Sequence, residues 1–480
     1  MSARTRELFG LLPVSLLVAA GFAAVLTTRT QDVSDATLTY GAVFLGLCVV
    51  AHLFIRARLP DADPYMFPLS ALLAAIGLVL IYRIDPELAR EQAQWFVAGL
   101  AFFCGTILVI RDHHVLERYR YTIAAGSIAL LAMPRLPGIG APVNGAYLAI
   151  KVGSIQFQPA EFAKLGIIVF LASYLRETGD ILVRPRLRPL PYQRQLLLYG
   201  LPAVLTFLAI LVLDLGAAGA VLLAVMVASL VAVLRERPSP KHFGPLLLVW
   251  GLAMLMLIFI RDLGSSVMFF GGFLALLYVA TGRLSLVGIG STLFFAGAFY
   301  LAQAESHVEQ RVDVWLDPFK PGVVDREGYQ IAQALFAQAD GGLFGQGFGR
   351  ALLDLPGGGT ILPAAHTDLI YAVLANEAGL FGAAGLIGAY LLLVFRGFKT
   401  ALYGGDGFSK LLATGLTAVL ALQVFVIVGG VTRVIPLTGV TLPFVSYGGS
   451  SIVANMVLLA LLLIVSDRAR AERARRGGLV

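Results

Sequence analysis

Apolar runs long enough to cross a lipid bilayer recur along the whole chain, and they restrict the fold more than any other feature. A spanning helix needs roughly 17–25 predominantly apolar residues. About fourteen runs approach or meet that length, at 8–28, 37–55, 66–82, 93–110, 119–133, 159–175, 194–213, 215–234, 243–260, 264–281, 285–302, 369–395, 411–429 and 450–466. The runs are continuous, which excludes alternating strands, and a bilayer accepts only helices or closed barrels. The sequence therefore predicts an all-α polytopic membrane protein with about fourteen transmembrane helices.

The composition agrees with this class. Hydrophobic residues make up 58% of the chain and charged residues 14%, and the mean hydropathy is +0.84. That leaves too little polar surface to cover a water-soluble globule. The first run follows Arg4 and Arg6 but is too long for a signal-peptide core and lacks a small-residue cleavage site, so we expect it to be retained. Cys48 and Cys104 lie in apolar runs and are expected to be packing residues.

The basic residues predict the orientation. With the N-terminus inside, 24 of the 36 Lys and Arg fall on inside segments, as the positive-inside rule requires. Both termini are then cytoplasmic. The net charge of +7 follows from this topology and does not indicate a nucleic-acid partner. The basic C-terminal tail, 467–480, is expected to meet anionic membrane lipids.

One long polar segment, 303–367, interrupts the apolar runs. The predicted topology places it outside, where it carries eight acidic residues and four basic ones. Long segments without structure of their own are usually functional, so we expect the chemistry of the protein there. Its ten glycines between Gly322 and Gly359 make a rigid conformation entropically costly, which predicts ordering only when a substrate or partner binds.

Charged residues inside apolar runs are the next candidates for functional residues. Glu161 and Lys164 are three apart in the run that begins at Pro159, so they share a helical face. A lone charge at the bilayer centre costs about 2.5–3.5 kcal/mol, and the two residues form either a self-satisfied pair or part of a polar cavity. Asp262 precedes another run and repeats a short motif around Asp214; it is either an ordinary turn residue or part of the same polar surface.

Two further polar groups lie at the outer ends of apolar runs. His366-Thr367-Asp368, with Glu377 deeper in the same run, suggests metal binding or acid–base chemistry, or a helix cap. The segment 446–451, SYGGSS, offers either exposed amide and hydroxyl donors or a small-residue contact between helices. The residues alone leave these alternatives open.

Five segments, in this order, closely resemble the SEDS family, the shape, elongation, division and sporulation proteins that include RodA and FtsW. They are 157–164 (FQPAEFAK), 325–330 (DREGYQ), 341–347 (GGLFGQG), 362–368 (LPAAHTD) and 442–450 (LPFVSYGGS). The family has a ten-helix core, so we assign 1–60 as an additional pair of helices, 61–466 as the core and 467–480 as the tail. The resemblance implies a peptidoglycan glycosyltransferase that polymerises lipid II on the outer face of the bacterial cytoplasmic membrane, beside a class B penicillin-binding protein. The additional helices and short tail favour a RodA-like type.

The resemblance also implies roles for residues. Transfer from a polyprenyl pyrophosphate to a GlcNAc 4-hydroxyl with inversion needs one general base, and the family's essential aspartate corresponds to Asp325. Departure of the pyrophosphate needs positive charge or a divalent cation, Mg²⁺ or Mn²⁺; Lys164 is the first candidate, before Arg433 and Arg326. Glu161 and Asp262 would hold Lys164 or help bind the cation. The remaining supporting candidates are Tyr329, Gln330, His366, Thr367, Asp368, Glu377, Ser446, Gly448, Gly449 and Ser450.

The chain departs from the family pattern at several positions. The family has Asp-Pro before Gly-x-Gly-Tyr, whereas Arg326 follows Asp325 here, and the Asp-Pro of the polar segment 303–367 is at Asp317. Ala364 and Asn376 stand where glutamates are usual. Two other classes of function remain: a lipid-linked sugar flippase, which needs a path open alternately to both sides, and a membrane scaffold, which would not need Asp325.

Overall fold

The computed structural model describes residues 3–30, 35–136, 140–143, 146–152, 155–183, 263–292, 306–351 and 361–477, and the single positions 204, 206, 227, 231, 251 and 294. The helices are α1 Ala3–Thr30, α2 Asp35–Arg58, α3 Met66–Ile84, α4 Pro86–Val109, α5 His114–Arg118, α6 Arg120–Ala132, α7 Pro159–Val183, α8 Leu263–Thr281, α9 Ser306–Leu316, α10 Tyr329–Gly341, α11 Ile370–Tyr403, α12 Gly407–Val431 and α13 Gly449–Gly477. A 3-10 turn, Met133–Arg135, follows α6, and three strands are β1 Gly140–Val143, β2 Ala146–Val152 and β3 Ile155–Phe157.

Eight of the described helices, α1 to α4, α8 and α11 to α13, are long and apolar enough to cross a membrane. Helices α6 and α7 coincide with the predicted runs 119–133 and 159–175, although the 13 residues of α6 are fewer than a span needs. The predicted runs 194–213, 215–234, 243–260 and 285–302 lie wholly or partly outside the described residues. The prediction of a polytopic helical membrane protein is confirmed. The orientation of the termini stays a prediction.

Two features differ from the sequence-based expectations. An antiparallel sheet with the order β1-β2-β3 precedes α7, so the protein is not purely helical; it forms in a segment that lies between two apolar runs and is not obliged to be helical. The polar segment 303–367 also contains two helices, α9 and α10, among its described residues, whereas the sequence suggested a segment without structure of its own. Its ordering on binding of a substrate or partner stays a prediction.

Close helix contacts bring the polar segments together at one end of the bundle. Helix α4 packs along α13, and α11 packs along α12. A Cβ atom at Gly77 of α3 would collide with the carbonyl of Val445, so α3 lies directly against the turn that precedes α13. At Gly379, α11 kinks with φ 65°, and the amide of Gln346 donates to the Asn376 carbonyl at 2.9 Å. The glycine-rich part of the outer segment is thereby attached to the kink.

Candidate active site

A polar cavity of about 1,080 Å³ lies at this end of the bundle. Residues from α4, β2, β3, α9, α10, the beginnings of α7, α8 and α13, and the connection between α12 and α13 line it. Small-molecule sites have volumes of roughly 300–1,000 Å³, so this cavity has room for a substrate larger than most.

The beginning of α13 forms one wall with Gly448, Gly449 and Ser450. The backbone amide of Gln158 donates to Ser450 Oγ at 2.9 Å, which joins this wall to the beginning of α7. A Cβ atom at Gly449 would collide with the indole ring of Trp95, so only glycine lets α13 approach α4 this closely. The wall is thus both a small-residue helix contact and a surface with polar groups facing the cavity.

Gln92 and Ser446 hold this wall from behind. Gln92 Oε1 accepts from the Gly448 amide at 3.1 Å, and Gln92 Nε2 donates to the Ser446 carbonyl at 3.3 Å. Ser446 Oγ accepts from the Leu442 amide at 2.9 Å and donates to the Thr367 carbonyl at 2.7 Å. Ser446 is buried and is not part of the cavity lining. It ties the turn before α13 to the segment before α11.

Glu161 and Lys164 form a buried salt bridge at the beginning of α7. Lys164 Nζ lies 2.6 Å from Glu161 Oε2 and donates to Gln423 Oε1 at 2.8 Å. Gln423 Nε2 in turn donates to the Thr441 carbonyl at 2.9 Å. Glu161 lines the cavity, whereas Lys164 does not and is only 2% exposed. The pair is therefore both self-satisfied and part of the cavity wall, with the carboxylate in front.

Two arginines, Arg311 and Arg433, give another part of the cavity wall a positive charge. Arg433 has φ 60°, and its Nε donates to the Trp315 carbonyl at 2.8 Å, while a second guanidinium nitrogen donates to the Leu316 carbonyl. Arg311 of α9 donates to the Leu437 carbonyl at 3.0 Å. Both arginines line the cavity. Because Arg433 donates to neutral carbonyl oxygens, its positive charge can act on an anionic group in the cavity.

The turn between α9 and α10 holds the predicted general base. Asp325 and Arg326 are exposed, and Tyr329 is half-buried; none of the three is part of the cavity lining. Glu327 and Gln330, from the same turn and the beginning of α10, do line it. Asp325 is thus two residues away from a carboxylate that faces the cavity.

The segment before α11 contributes Thr367 and Asp368 to the lining. Burial raises the pKa of the Asp368 carboxyl to about 6, against the opposing effect of the Arg311 charge. His366 lies beside the cavity: its carbonyl accepts from the Tyr447 amide at 2.8 Å, and its ring meets the Tyr447 ring edge-on, with 5.7 Å between centroids. Burial lowers the pKa of the His366 imidazole, so this ring is neutral at pH 7.

Glu377, another predicted site residue, is not part of the cavity lining either. Glu377 is buried in α11, where its Oε1 lies 3.1 Å from Arg83 Nε; Arg83 also donates to the Ala351 carbonyl at 2.8 Å. Glu377 therefore joins α3, α11 and the outer segment and does not extend the His366-Thr367-Asp368 group, which corrects the sequence-based grouping. Asp262 lies outside the described residues.

Helix α4 also contributes to the cavity, which the sequence pattern did not predict. Glu91 and Trp95 line the cavity, and the hydroxyl of Tyr447 donates to Glu91 Oε2. The available signal was their spacing, because residues four apart lie on the same face of a helix. Glu327, which stands within the motif that contains Asp325 and is an alternative to it as the general base, also lines the cavity.

The cavity lining suits a divalent cation that is bound mainly by the phosphates of the enzyme's substrate. Among the described residues, no three His, Cys, Asp or Glu side chains gather in the cavity closely enough to bind a metal by themselves. Mg²⁺, however, usually takes only one or two carboxylates together with substrate phosphates and water. Glu161 and Asp368, both in the lining, supply carboxylates of this kind, so the donor chemistry fits the predicted divalent cation.

Comparison with known proteins gives one consistent result. The family described as cell cycle proteins, FtsW, RodA and SpoVE, matches residues 64–237 and 221–471. The chain is 37% identical to the peptidoglycan glycosyltransferase RodA of Mycobacterium tuberculosis, over 97% of this chain and 91% of that protein. Among solved structures, it is similar to a chain of a peptidoglycan synthase complex that coordinates polymerization and crosslinking (TM-score 0.58, 27% identity, covering 85% of this chain and 98% of that one). It is also similar to the rod shape determining protein RodA of Thermus thermophilus (TM-score 0.51, 27% identity, covering 84% and 96%).

Proposed function

We propose that this chain, which belongs to the FtsW, RodA and SpoVE family, polymerises lipid II in the cavity described above. It is a multi-pass bacterial membrane protein and a peptidoglycan glycosyltransferase. The observation that carries this proposal is the combination, in one cavity, of carboxylates and guanidinium groups at the end of a bundle of membrane-spanning helices. Lipid II has a polyprenyl chain that remains in the membrane and a charged pyrophosphate at the membrane surface. The relatives favour this activity over the flippase and scaffold alternatives.

We assign the general base to Asp325. In the reaction, the base takes the proton of the GlcNAc 4-hydroxyl, the oxygen attacks the anomeric carbon of the donor, and the bond from that carbon to the pyrophosphate breaks on the opposite side. A carboxylate within hydrogen-bond reach of the hydroxyl meets the requirement. Asp325 is exposed and lies next to the cavity-lining part of its turn. Glu327 is the competing carboxylate, because it faces the cavity.

The cavity walls supply the charge for the leaving group. Arg433 and Arg311 line the cavity and would bind the pyrophosphate through charged hydrogen bonds. Lys164 is buried behind the cavity lining and donates to Glu161 and Gln423, so its role is to hold Glu161 in place rather than to contact the pyrophosphate. A divalent cation held by Glu161 and Asp368 would add positive charge at the same group.

The decisive experiment compares aspartates of one segment. The purified full chain, with its cross-linking partner, is given labelled lipid II, and polymer is measured on gels. Asp325→Asn should reduce polymerisation below about one hundredth of wild type, within the range of general-base effects. The matched control is Asp317→Asn, because Asp317 is also exposed on this segment and accepts from the Phe319 amide at 3.3 Å, a contact that asparagine can keep; its activity should be near wild type.

Two outcomes would change the assignment. Activity of Asp325→Asn above about a tenth of wild type, combined with loss in Glu327→Gln, would move the base to Glu327. Wild-type polymerisation that persists in both variants would remove the base from this turn altogether. Normal amounts of each variant in the membrane show that insertion is unaffected.

The partner and the side of the membrane are also part of this proposal. This chain is similar in structure to one chain of a synthase complex that coordinates polymerization and crosslinking, which supports a class B penicillin-binding protein as the partner. The cavity would face outside, as the distribution of basic residues predicts. A cysteine placed at exposed Arg326 should react with a membrane-impermeant thiol reagent in intact cells; reaction only after permeabilisation would reverse the orientation.

A further inference from the structure

A second group of potential ligands lies at the end of the bundle opposite the cavity. Helix α4 contributes Glu91 and Trp95 to the cavity from its first half and ends at Val109, so His113 and His114 lie beyond its far end. Helix α12 reaches the cavity with its last residues, so Asp406, which precedes it, is also at the far end. The group is therefore separate from the glycosyltransferase site.

The side chains of His113, His114 and Asp406 converge. One ligand atom from each lies within 4.8 Å of the other two. The two imidazole rings have centroids 4.4 Å apart, and His114 Nε2 lies 3.6 Å from Asp406 Oδ2. No other set of three His, Cys, Asp or Glu side chains in the described ranges meets this geometric requirement.

Both histidines have a buried nitrogen for which the described residues supply no partner. The Nδ1 atoms of His113 and His114 are buried and make no hydrogen bond within the described part of the chain, and His113 as a whole is 1% exposed. Buried polar atoms are nearly always hydrogen-bonded, and exceptions indicate strain or an unseen ion or water. Two such atoms in neighbouring rings therefore point to a ligand.

The role of Asp406 as a helix cap accounts for only part of this arrangement. Asp406 Oδ1 accepts from the amides of Phe408 and Ser409 at 2.9 and 3.1 Å, and Oδ2 accepts from the Ser409 hydroxyl. These bonds fix the carboxylate. Ser409 Oγ is also 2.6 Å from His113 Nε2. The cap explains the aspartate and one histidine nitrogen, but neither of the unpartnered Nδ1 atoms.

We propose that His113, His114 and Asp406 bind a transition-metal dication of the Zn²⁺ type. Two imidazoles and a carboxylate are the ligand types that Zn²⁺ takes, and three protein ligands leave a fourth position for water. Such an ion would join the connection after α4 to the beginning of α12. It would therefore fasten the far ends of two helices whose other ends line the cavity.

The test measures metal binding directly and does not depend on polymerase activity. The full chain, without a histidine tag, is stripped with a chelator in detergent and titrated with Zn²⁺ by calorimetry and with Co²⁺ by visible absorption. We expect about one equivalent of Zn²⁺, a Co²⁺ spectrum of a four-coordinate nitrogen–oxygen site, and a rise in melting temperature with Zn²⁺ but not with Mg²⁺. Absence of saturable Zn²⁺ binding by the wild-type chain would overturn the proposal.

The variants are chosen to remain folded. Asp406→Asn keeps a side-chain oxygen that can cap α12, and His114→Gln alters a partly exposed side chain. Each should weaken Zn²⁺ binding at least about tenfold, with little change in the melting temperature of the metal-free protein. His366→Gln, at the cavity end, is the control and should bind Zn²⁺ as wild type does. Loss of binding in the control, with retention in the other two, would place the metal elsewhere and refute the assignment.

Discussion

The two ends of the helical bundle use their charged residues differently. At the end opposite the cavity, charged side chains pair with each other: Arg396 Nε lies 3.0 Å from Asp63 Oδ1, and Arg120 lies 2.7 Å from Glu177. At the cavity end, Arg433 donates to backbone carbonyls. There, the exposed Asp325 and Glu327 side chains make no ion pair with any described residue.

This difference separates a holding function from a binding function. A charged side chain that is neutralised by its neighbour holds two helices together, but it interacts only weakly with a charged ligand. A charge that meets only neutral carbonyls, or solvent, retains its interaction energy for a substrate. The cavity end also contains two buried pairs. Arg83 and Glu377 hold helices together, whereas Glu161 and Lys164 join the two functions, because the Glu161 carboxylate faces the cavity.

The largest expected effect concerns this buried pair. Lys164→Met should destabilise the protein by about 3–5 kcal/mol, because Glu161 would be left as an uncompensated buried charge. Glu161→Gln in the same chain should restore part of the loss. A double-mutant cycle on unfolding in detergent measures the interaction, and additivity within about 0.5 kcal/mol would show that the pair does not act as a unit.

The second prediction concerns the close contact between α4 and α13. Gly449→Ala should cost about 1–3 kcal/mol of stability through overpacking and should lower polymerisation, because the added methyl group collides with Trp95. Gly448→Ala is the matched control: its Cβ would lie 3.4 Å from Thr441 Cγ2, an ordinary contact. Thermal unfolding and polymer yield provide the comparison. Equal effects at the two glycines would mean that Trp95 does not limit the approach.

The third prediction tests the cavity end through pH. Asp368 has a pKa of about 6 in the folded protein and about 3.9 when unfolded, so the folded state binds this proton more tightly. Its stabilising contribution is complete below pH 4 and is lost as pH rises through 6. The Asp368→Asn variant has no carboxyl group at this position and does not lose this stabilisation. The melting temperature of the variant minus that of wild type should therefore increase from pH 4.5 to pH 7. A constant difference across this range would show that Asp368 ionises normally.

The smallest effect is expected at the opposite end. Arg176 pairs with Glu117, and its side chain is 44% exposed, so Arg176→Gln should change stability by only about 0–1 kcal/mol. The change should shrink further in 0.5 M salt, because exposed pairs are screened. Comparison with Lys164→Met in the same unfolding assay sharpens the contrast. An Arg176 effect as large as that of Lys164 would remove the distinction between the two ends.

Local sequence pattern predicted much of the fold. Continuous apolar runs identified the membrane class, and the described spans follow those runs. The spacing of Glu161 and Lys164 placed them on one helical face, where the structure shows a salt bridge. The sheet before α7 was missed because its strands are short and lie between the apolar runs, where the pattern carries less information.

The sequence by itself determined the membrane-spanning class, the family motifs and the contacts between residues three or four apart, because hydropathy and helical periodicity are properties of local sequence. Only the tertiary structure decided which distant residues meet: Trp95 with Gly449, Glu91 with Tyr447, and Arg83 with Glu377 and not with the cavity. These contacts depend on how closely helices approach and at which residues, as at Gly77 and Val445. Helix packing sets that approach through the side chains of both partners at once, so no single run of sequence contains it.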